Sequence, residues 1–535
     1  MKLLLLTIVL AVLSLLANAK PADDKIESLP GWKGALPSDQ YSGYLSIAGG
    51  SNIHYWLVES EKDPDNAPTV LWLNGGPGFS SLDGFVYENG PFVIQPDNTL
   101  KKRKYRWNKM ANMLYIEAPV GVGFSYSDTG DYACSDDRTA HENRLAVEKF
   151  FEKFPEFNTD KSKFYIFGES YAGVYIPTLA EAIVQATLDG KYTGAELAGI
   201  AIGNGCIGNM VGSCSPTPER LVHEWTYLTQ TPFINSAAKD KINAACDWVS
   251  AEKNLESSLS GECVDALNEV QPLLASLNMY DIYGECQSDP GCPDVVLPGK
   301  LVIRDKGMLR GSQAHSVIRP RHYANLAADP EESNADARGV KGKVPQFKPY
   351  ELLDRKTGRV HRLNSPHIMP GGPKACIESK LASAYFNQPD VQQAIHVGNS
   401  PTGRPCWNTY VTAPSWTYTK QVANIPRDIY PFLIRHLDVL IFNGDGDACV
   451  PYTGNDAWTR GMGYPVKAGW HSWDYPSSRD SSWQLAGYAT EYDVSALGKG
   501  SFEFITIKGG RHEVPESSPA QAYEMLKRVL QKQPF

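Results

Sequence analysis

Beyond its first nineteen residues the chain lacks any apolar run approaching the roughly 18 to 20 residues a membrane span needs, so no transmembrane segment is expected. It lacks a basic excess. Lys and Arg number 51 against 60 Asp and Glu, a formal charge of -9, which gives no support to nucleic-acid binding. No His-Glu-x-x-His is present: His141-Glu142 and His223-Glu224 have no second histidine, which disfavours a zinc peptidase and leaves both pairs as surface helix residues. No metal and no cofactor are expected. There is no Asn-x-Ser/Thr sequon, so sorting by N-linked glycans is not expected, and the tail Gln531-Lys532-Gln533-Pro534-Phe535 carries no retention signal.

What is present at the start is a basic residue, the apolar run Leu3 to Leu16 and then Ala17-Asn18-Ala19, which reads as a signal peptide over 1–19 cleaved after Ala19. The ten cysteines suit an oxidising compartment. Cys206 and Cys214 are close enough for a local loop, and Cys246, Cys263, Cys286 and Cys292 cluster; the pairing of Cys134, Cys376, Cys406 and Cys449 is open. The expected route is secretory, with lysosome, vacuole and exterior undecided.

Three segments carry chemistry. The apolar run Lys163 to Phe167 leads into Gly168-Glu169-Ser170-Tyr171-Ala172-Gly173 and then a helical stretch, Tyr175 to Ala186. Ser170 therefore sits at a sharp strand-to-helix turn, where an α/β-hydrolase keeps its nucleophile. Val439 to Phe442 reads as a strand that delivers Asp445 and Asp447 on a loop ending at Val450-Pro451, and spacing alone does not separate the two aspartates. Phe502 to Ile507 is another strand, running into Gly509-Gly510-Arg511-His512-Glu513. Serine, aspartate and histidine follow in the chain order this fold uses, each on a loop at the carboxyl edge of a sheet. A fourth strand, Thr69 to Leu73, delivers Asn74-Gly75-Gly76-Pro77-Gly78, whose glycines let backbone N–H groups approach a developing oxyanion. His54, His396 and His436 have no triad or ligand context and are read as structural.

With Glu-Ser-Tyr-Ala-Gly joined to Asn-Gly-Gly-Pro-Gly and to Glu117-Ala118-Pro119-Val120-Gly121-Val122-Gly123-Phe124-Ser125-Tyr126, the chain resembles the serine carboxypeptidase family, closest to its cathepsin A-like branch. The resemblance implies an α/β-hydrolase fold, a mainly parallel sheet flanked by helices with a helical cap insertion. It implies a carboxypeptidase acting on peptides or proteins at acidic pH, with Ser170 as nucleophile, His512 as base and Asp447, rather than Asp445, as its orienting carboxylate. Gly76 and Tyr171 would supply the oxyanion N–H groups. Asn74 and Glu169, with Glu88 holding Glu169, would receive the substrate's terminal carboxylate, and Glu88 and Glu169 would share a proton.

Three positions depart from the family pattern. Phe79 stands where Cys is common, removing a disulfide tie; Arg511 replaces Gly and either folds outward or intrudes on the rim; Glu513 replaces a Met beside the leaving-residue pocket, where a carboxylate would favour basic side chains. The alternatives are an acyltransferase that uses the same acyl-enzyme, and a protective, non-enzymatic role beside partner proteins. A homodimer is a possible assembly.

Strands and helices alternate from about Gly43 to Asn204 and again from Leu381 to Leu530, and 20–205 with 376–535 are read as the core. Residues 206–375 form an insertion, helical from Glu219 to Met279, with a charged, Pro- and Gly-containing segment at about 304–374 expected to be mobile and open to proteolysis.

Overall fold

The computed structural model describes residues 20–253, 259–285, 379–397 and 406–535 apart from positions 412, 414 and 478, with short strands at Ile303–Asp305, Glu351–Leu353 and Val360–Arg362. The expected signal peptide and most of the charged 304–374 segment lie outside the described residues.

Short apolar runs become the strands of one large sheet: β1 Gln40–Ser46, β2 Ser51–Val58, β3 Thr69–Leu73, β4 Asn112–Ile116, β5 Lys163–Glu169, β6 Glu196–Gly203, β7 Asp438–Gly444, β8 Val466–Pro476, β9 Trp483–Tyr492 and β10 Phe502–Ile507. Their order is β1-β2-β4-β3-β5-β6-β7-β10-β9-β8. The six strands from β4 to β10 in that order are parallel, and antiparallel pairs flank them on both sides. Six strands pointing one way deliver their following loops to one edge, and that edge holds the site.

Alternation along the strands explains why both faces are covered. Leu71, Leu114, Ile166, Ile200 and Ile441 pack with Val147 and Phe150 of α1 (Asp136–Lys153) and with Val174, Leu179 and Ile183 of α2 (Ala172–Leu188). Val70, Trp72, Met113, Tyr165, Phe167 and Leu440 face the other way, against Ala522, Met525 and Leu526 of the last helix and Tyr385 and Phe386. Period-two side chains with apolar residues at every position are what a parallel sheet buried on both faces requires.

The expected helical stretch of the insertion forms α3 Pro218–Leu228, α4 Ser236–Ala245, the short Trp248–Glu252 turn and α5 Gly261–Val270. Leu221, Trp225, Leu228, Val264 and Leu267 build a separate apolar cluster that includes Ala448 of the loop after β7. Disulfides join Cys206 to Cys214 and Cys246 to Cys263, while Cys134 and Cys449 are free thiols. Cys406 is also disulfide-bonded, to a cysteine outside the described residues. No helix among the described residues is long and apolar enough to cross a membrane.

The reading of His141-Glu142 and His223-Glu224 as surface residues needs correction. Both pairs are helical, but Glu142, His223 and Glu224 are buried, because Glu224 pairs with Arg220 (2.9 Å) and Glu142 with Arg138 (2.8 Å) one turn away, so the charges are neutralised as they are covered.

Candidate active site

Ser170 occupies the turn between β5 and α2 with φ of 61°, a left-handed conformation rare for a side-chain-bearing residue and associated with functional strain. The turn is closed by Ser170 N–H donating to Gly203 O (3.0 Å) and by Ser170 O accepting from both Gly173 N (2.9 Å) and Cys206 N (2.9 Å). Gly173 is required by space: a Cβ there would stand 2.2 Å from Cys206 O. Small residues flanking the serine thus let α2 start against the strand while the serine projects, half-buried, over the sheet edge.

The histidine arrives from β10 and the aspartate from β7, a directly paired parallel neighbour. His512 Nδ1 donates to Asp447 Oδ2 at 2.7 Å. Asp447 is fully buried and its carboxylate also accepts from Asn204 Nδ2 (2.8 Å), Cys449 N (2.8 Å) and Val450 N (3.2 Å). Asp445 points elsewhere, accepting Gly509 N–H at 2.7 Å, so geometry separates the two aspartates that spacing did not. His512 Nε2 is buried with no hydrogen-bond partner among the described residues. It shares with Ser170 a cleft lined by Asn74, Gly75, Gly76, Phe79, Glu169, Ser170, Tyr280, His512 and Glu513. No hydrogen bond joins Ser170 to His512 in this structure, a looseness common in substrate-free sites.

Gly76 is exposed to the cleft at φ of 110°, and Gly75 lies so close to the serine turn that a Cβ on it would meet Tyr171 N at 2.3 Å. The backbone of Gly75–Gly76 therefore runs past the start of α2 within reach of the Tyr171 amide.

The structure brings Asn74, Glu88 and Glu169 together. Asn74 Nδ2 donates to Glu88 Oε1 (3.1 Å) and Glu169 Oε1 (3.2 Å), while its carbonyl oxygen accepts Trp72 Nε1 (2.8 Å) and Gly84 N (3.1 Å), which fixes the amide's orientation. The second carboxyl oxygen of each glutamate has no partner among the described residues. Burial pushes Glu88 up to about 8, and burial together with the Glu88 charge holds Glu169 well above the usual carboxylate range.

Sequence reasoning missed three features here. Asp83, 1% exposed, faces Glu513 with no cation or other hydrogen-bond donor on its carboxyl among the described residues, so Asp83, Glu513 and Glu516 form an acidic group next to the Glu88–Glu169 pair. Burial first, then the neighbouring charges, push Asp83 and Glu513 well above normal. The nearby Arg103 spends its donors on the carbonyls of Val86, Tyr87, Gly90 and Phe92. Secondly, Tyr280 from the insertion sets its ring against the His512 imidazole, centroids 4.5 Å apart at 79°, and its carbonyl accepts the His512 N–H (2.9 Å). No motif marks it; only its place after a helical segment hinted at contact. Thirdly, Asn204 directly follows β6 and braces Asp447, as above.

The two remaining departures resolve plainly. Arg511 folds outward and pairs with Asp281 (3.0 Å). Phe79 packs on Tyr410 with centroids 4.3 Å apart.

A family model described as serine carboxypeptidase matches residues 30–532. The chain is 32% identical over 530 residues to the lysosomal protective protein of Mus musculus, covering 97% of this chain and 96% of that protein. It is 30% identical over 538 residues to serine carboxypeptidase 1 of Hordeum vulgare, covering 96% and 93%. Among solved structures it resembles in fold Kex1(delta)p, a prohormone-processing carboxypeptidase from Saccharomyces cerevisiae, with a TM-score of 0.62 at 19% identity over 96% of both chains.

Proposed function

Because the chain belongs to the serine carboxypeptidase family, we propose that Ser170, His512 and Asp447 remove C-terminal residues from peptides at acidic pH through an acyl-enzyme. Ser170 Oγ attacks the scissile carbonyl as His512 Nε2 takes its proton; the proton then goes to the leaving amine, and water releases the acyl group by the same route. Asp447 holds the imidazole through Nδ1. The N–H groups of Gly76 and Tyr171 stabilise the tetrahedral oxyanion, each typically worth about 3 kcal/mol.

The observation that carries the reading is the Asn74, Glu88 and Glu169 trio immediately beside the nucleophile. An amide and a protonated carboxyl both donate to a carboxylate, which selects a substrate whose chain ends one residue past the scissile bond. Glu513 lines the leaving-residue side of the cleft; beside Asp83 its buried carboxyl keeps its proton at acidic pH, so a preference for Lys and Arg develops only as the pH rises and that proton leaves. Homodimeric assembly and a lysosomal, vacuolar or extracellular destination belong to the same proposal, and light scattering and cell fractionation test them.

The experiment is release of free amino acid at about pH 5, an acidity at which the carboxyl pair keeps its proton, from blocked dipeptides ending in Phe-Leu and Phe-Arg. Wild type is expected to release both at similar rates at pH 5 and to favour Arg increasingly as the pH is raised toward 8, and Ser170→Ala to lose roughly 10⁴-fold or more. Equal turnover of the two substrates at the higher pH as well would remove the role given to Glu513. No release, with Ser170 still labelled by a fluorophosphonate, would overturn the peptidase reading in favour of transfer to an alcohol acceptor.

A further inference from the structure

The loop from Gly75 to Ser80 is held from the side away from the cleft. Ser80 N–H donates to Thr409 O (2.8 Å) and Val411 N–H to Gly78 O (2.9 Å), so the segment Trp407 to Val411 runs beside it as a short antiparallel bridge. Beneath that bridge lies the carboxylate of Glu117, wholly buried. Its Oε1 accepts from the Ser80 hydroxyl and from Trp407 Nε1 (2.8 Å); its Oε2 accepts from Phe124 N (2.8 Å) and His54 Nδ1 (2.8 Å). His54 Nε2 meets Ser42 Oγ at 2.9 Å, and the Ser42 proton goes to Ile395 O (2.7 Å).

Ser42, His54 and Glu117 have the connectivity of a hydrolytic triad, yet they do not form a second active site. All three are 0% exposed and the Ser42 hydroxyl is spent on a backbone carbonyl. Their arrangement instead keeps one carboxylate fixed and ionically satisfied where it touches two segments at once. With Phe79 in place of a cysteine, no covalent bond ties the glycine loop at that position.

We propose that Glu117 is a positioning residue for the oxyanion loop: by joining Ser80 to Trp407 it sets the direction of the Gly76 N–H. The inference rests on the oxyanion role proposed for Gly76. Glu117 does not line the cleft, so it acts only through Ser80.

Ser80→Ala is the mildest test, removing the hydroxyl's bonds to Glu117 and to Leu82 N while leaving the backbone bond to Thr409 and the other three donors of Glu117. A displaced donor is expected to lower kcat by about 10- to 100-fold. KM should stay within about twofold, since the substrate's carboxylate is held elsewhere. Affinity for a peptidyl aldehyde, which forms a tetrahedral adduct, should fall by the same factor as kcat, and that for a product-like dicarboxylate should not. Ser80→Thr, which keeps a hydroxyl, should restore both, and Glu117→Gln should repeat the Ser80→Ala pattern. A Ser80→Ala enzyme with lowered Tm but unchanged kcat and aldehyde affinity overturns the proposal. If wild type releases no amino acid, the proposed activity itself has failed. The rate of Ser170 labelling by a fluorophosphonate, which uses the same donors, then decides the positioning role alone.

Discussion

A carboxyl beside a nucleophile helps bind an anionic chain end only while it keeps its proton. Glu88, pushed up to about 8 by burial, and Glu169, held well above the usual carboxylate range by burial and the Glu88 charge, keep a proton in the acid range. As pH rises through the pair's upper value the proton leaves, the substrate carboxylate meets an anion, and KM climbs. In Glu169→Gln the amide donates without titrating, so KM is expected to be raised several-fold at pH 5 yet flat to pH 8. Steady-state KM at half-unit intervals checks this, and a wild-type KM flat across the same range would defeat the argument. At this scale the motif residues were legible because loop chemistry, not packing, dictates them: Asn74, Gly76, Glu169, Ser170 and His512 all sit in short runs whose composition serves no core. Tyr280 and Asp83 were not, since a tyrosine in a helical insertion and an aspartate after Ser-Ser-Leu look the same whether they face a cleft or solvent.

The elements that carry those residues have little slack. The start of α2 touches the turn after β6 through Gly173, where a methyl would collide with Cys206 O at 2.2 Å. Gly173→Ala is expected to lose about 1 to 3 kcal/mol or more, and kcat with it, because Cys206 N–H also holds Ser170 O. Thermal unfolding and turnover of the same sample test the coupling. The antiparallel hairpin of β8 and β9 was invisible in the sequence. Val466, Trp470, Trp483 and Tyr488 are exposed, so no apolar alternation announces those strands, and their pairing is imposed by β10. That pairing sets Glu491 directly opposite Glu503, and burial, then the Glu491 charge, push Glu503 up to about 7. A carboxyl raised in the fold costs stability as pH rises above its unfolded value. Glu503→Gln should therefore be neutral at pH 5 and stabilise by about 1 to 3 kcal/mol at pH 8, as denaturant unfolding at the two pH values would show; equal gains at both would refute it.

For the whole molecule the same sign governs a larger set. Asp83, Glu88, Glu169 and Glu513 are all buried with raised values, so each disfavours the folded state progressively as pH climbs from the normal carboxylate range toward 8. The protein is expected to melt several degrees higher near pH 5 than near pH 8, a few kcal/mol in all; calorimetry showing the reverse would mean these groups are ionised at no cost. The mainly parallel sheet and its carboxyl edge were legible because a six-strand parallel centre must be apolar throughout. The flanking strand pairs and the burial of Glu142 and Glu224 on α1 and α3 were not, since an Arg–Glu pair one turn apart reads the same in sequence whether it faces solvent or the interior. Segment Met279 to Ile282 shows what such contacts achieve: Met279 O accepts from Ala448 N and Cys449 N, Tyr280 O from His512 N, and Ile282 N donates to Gly446 O, lacing both catalytic loops together. Ser170 and His512 are 342 residues apart, the difference of their positions. A ribosome adding roughly 5 to 20 residues per second needs about 17 to 70 seconds to cover that distance. With the roles proposed for Ser170 and His512, the emerging polypeptide would carry its nucleophile without a base throughout that interval, and so would travel inactive beside its own unfolded segments and those of its neighbours.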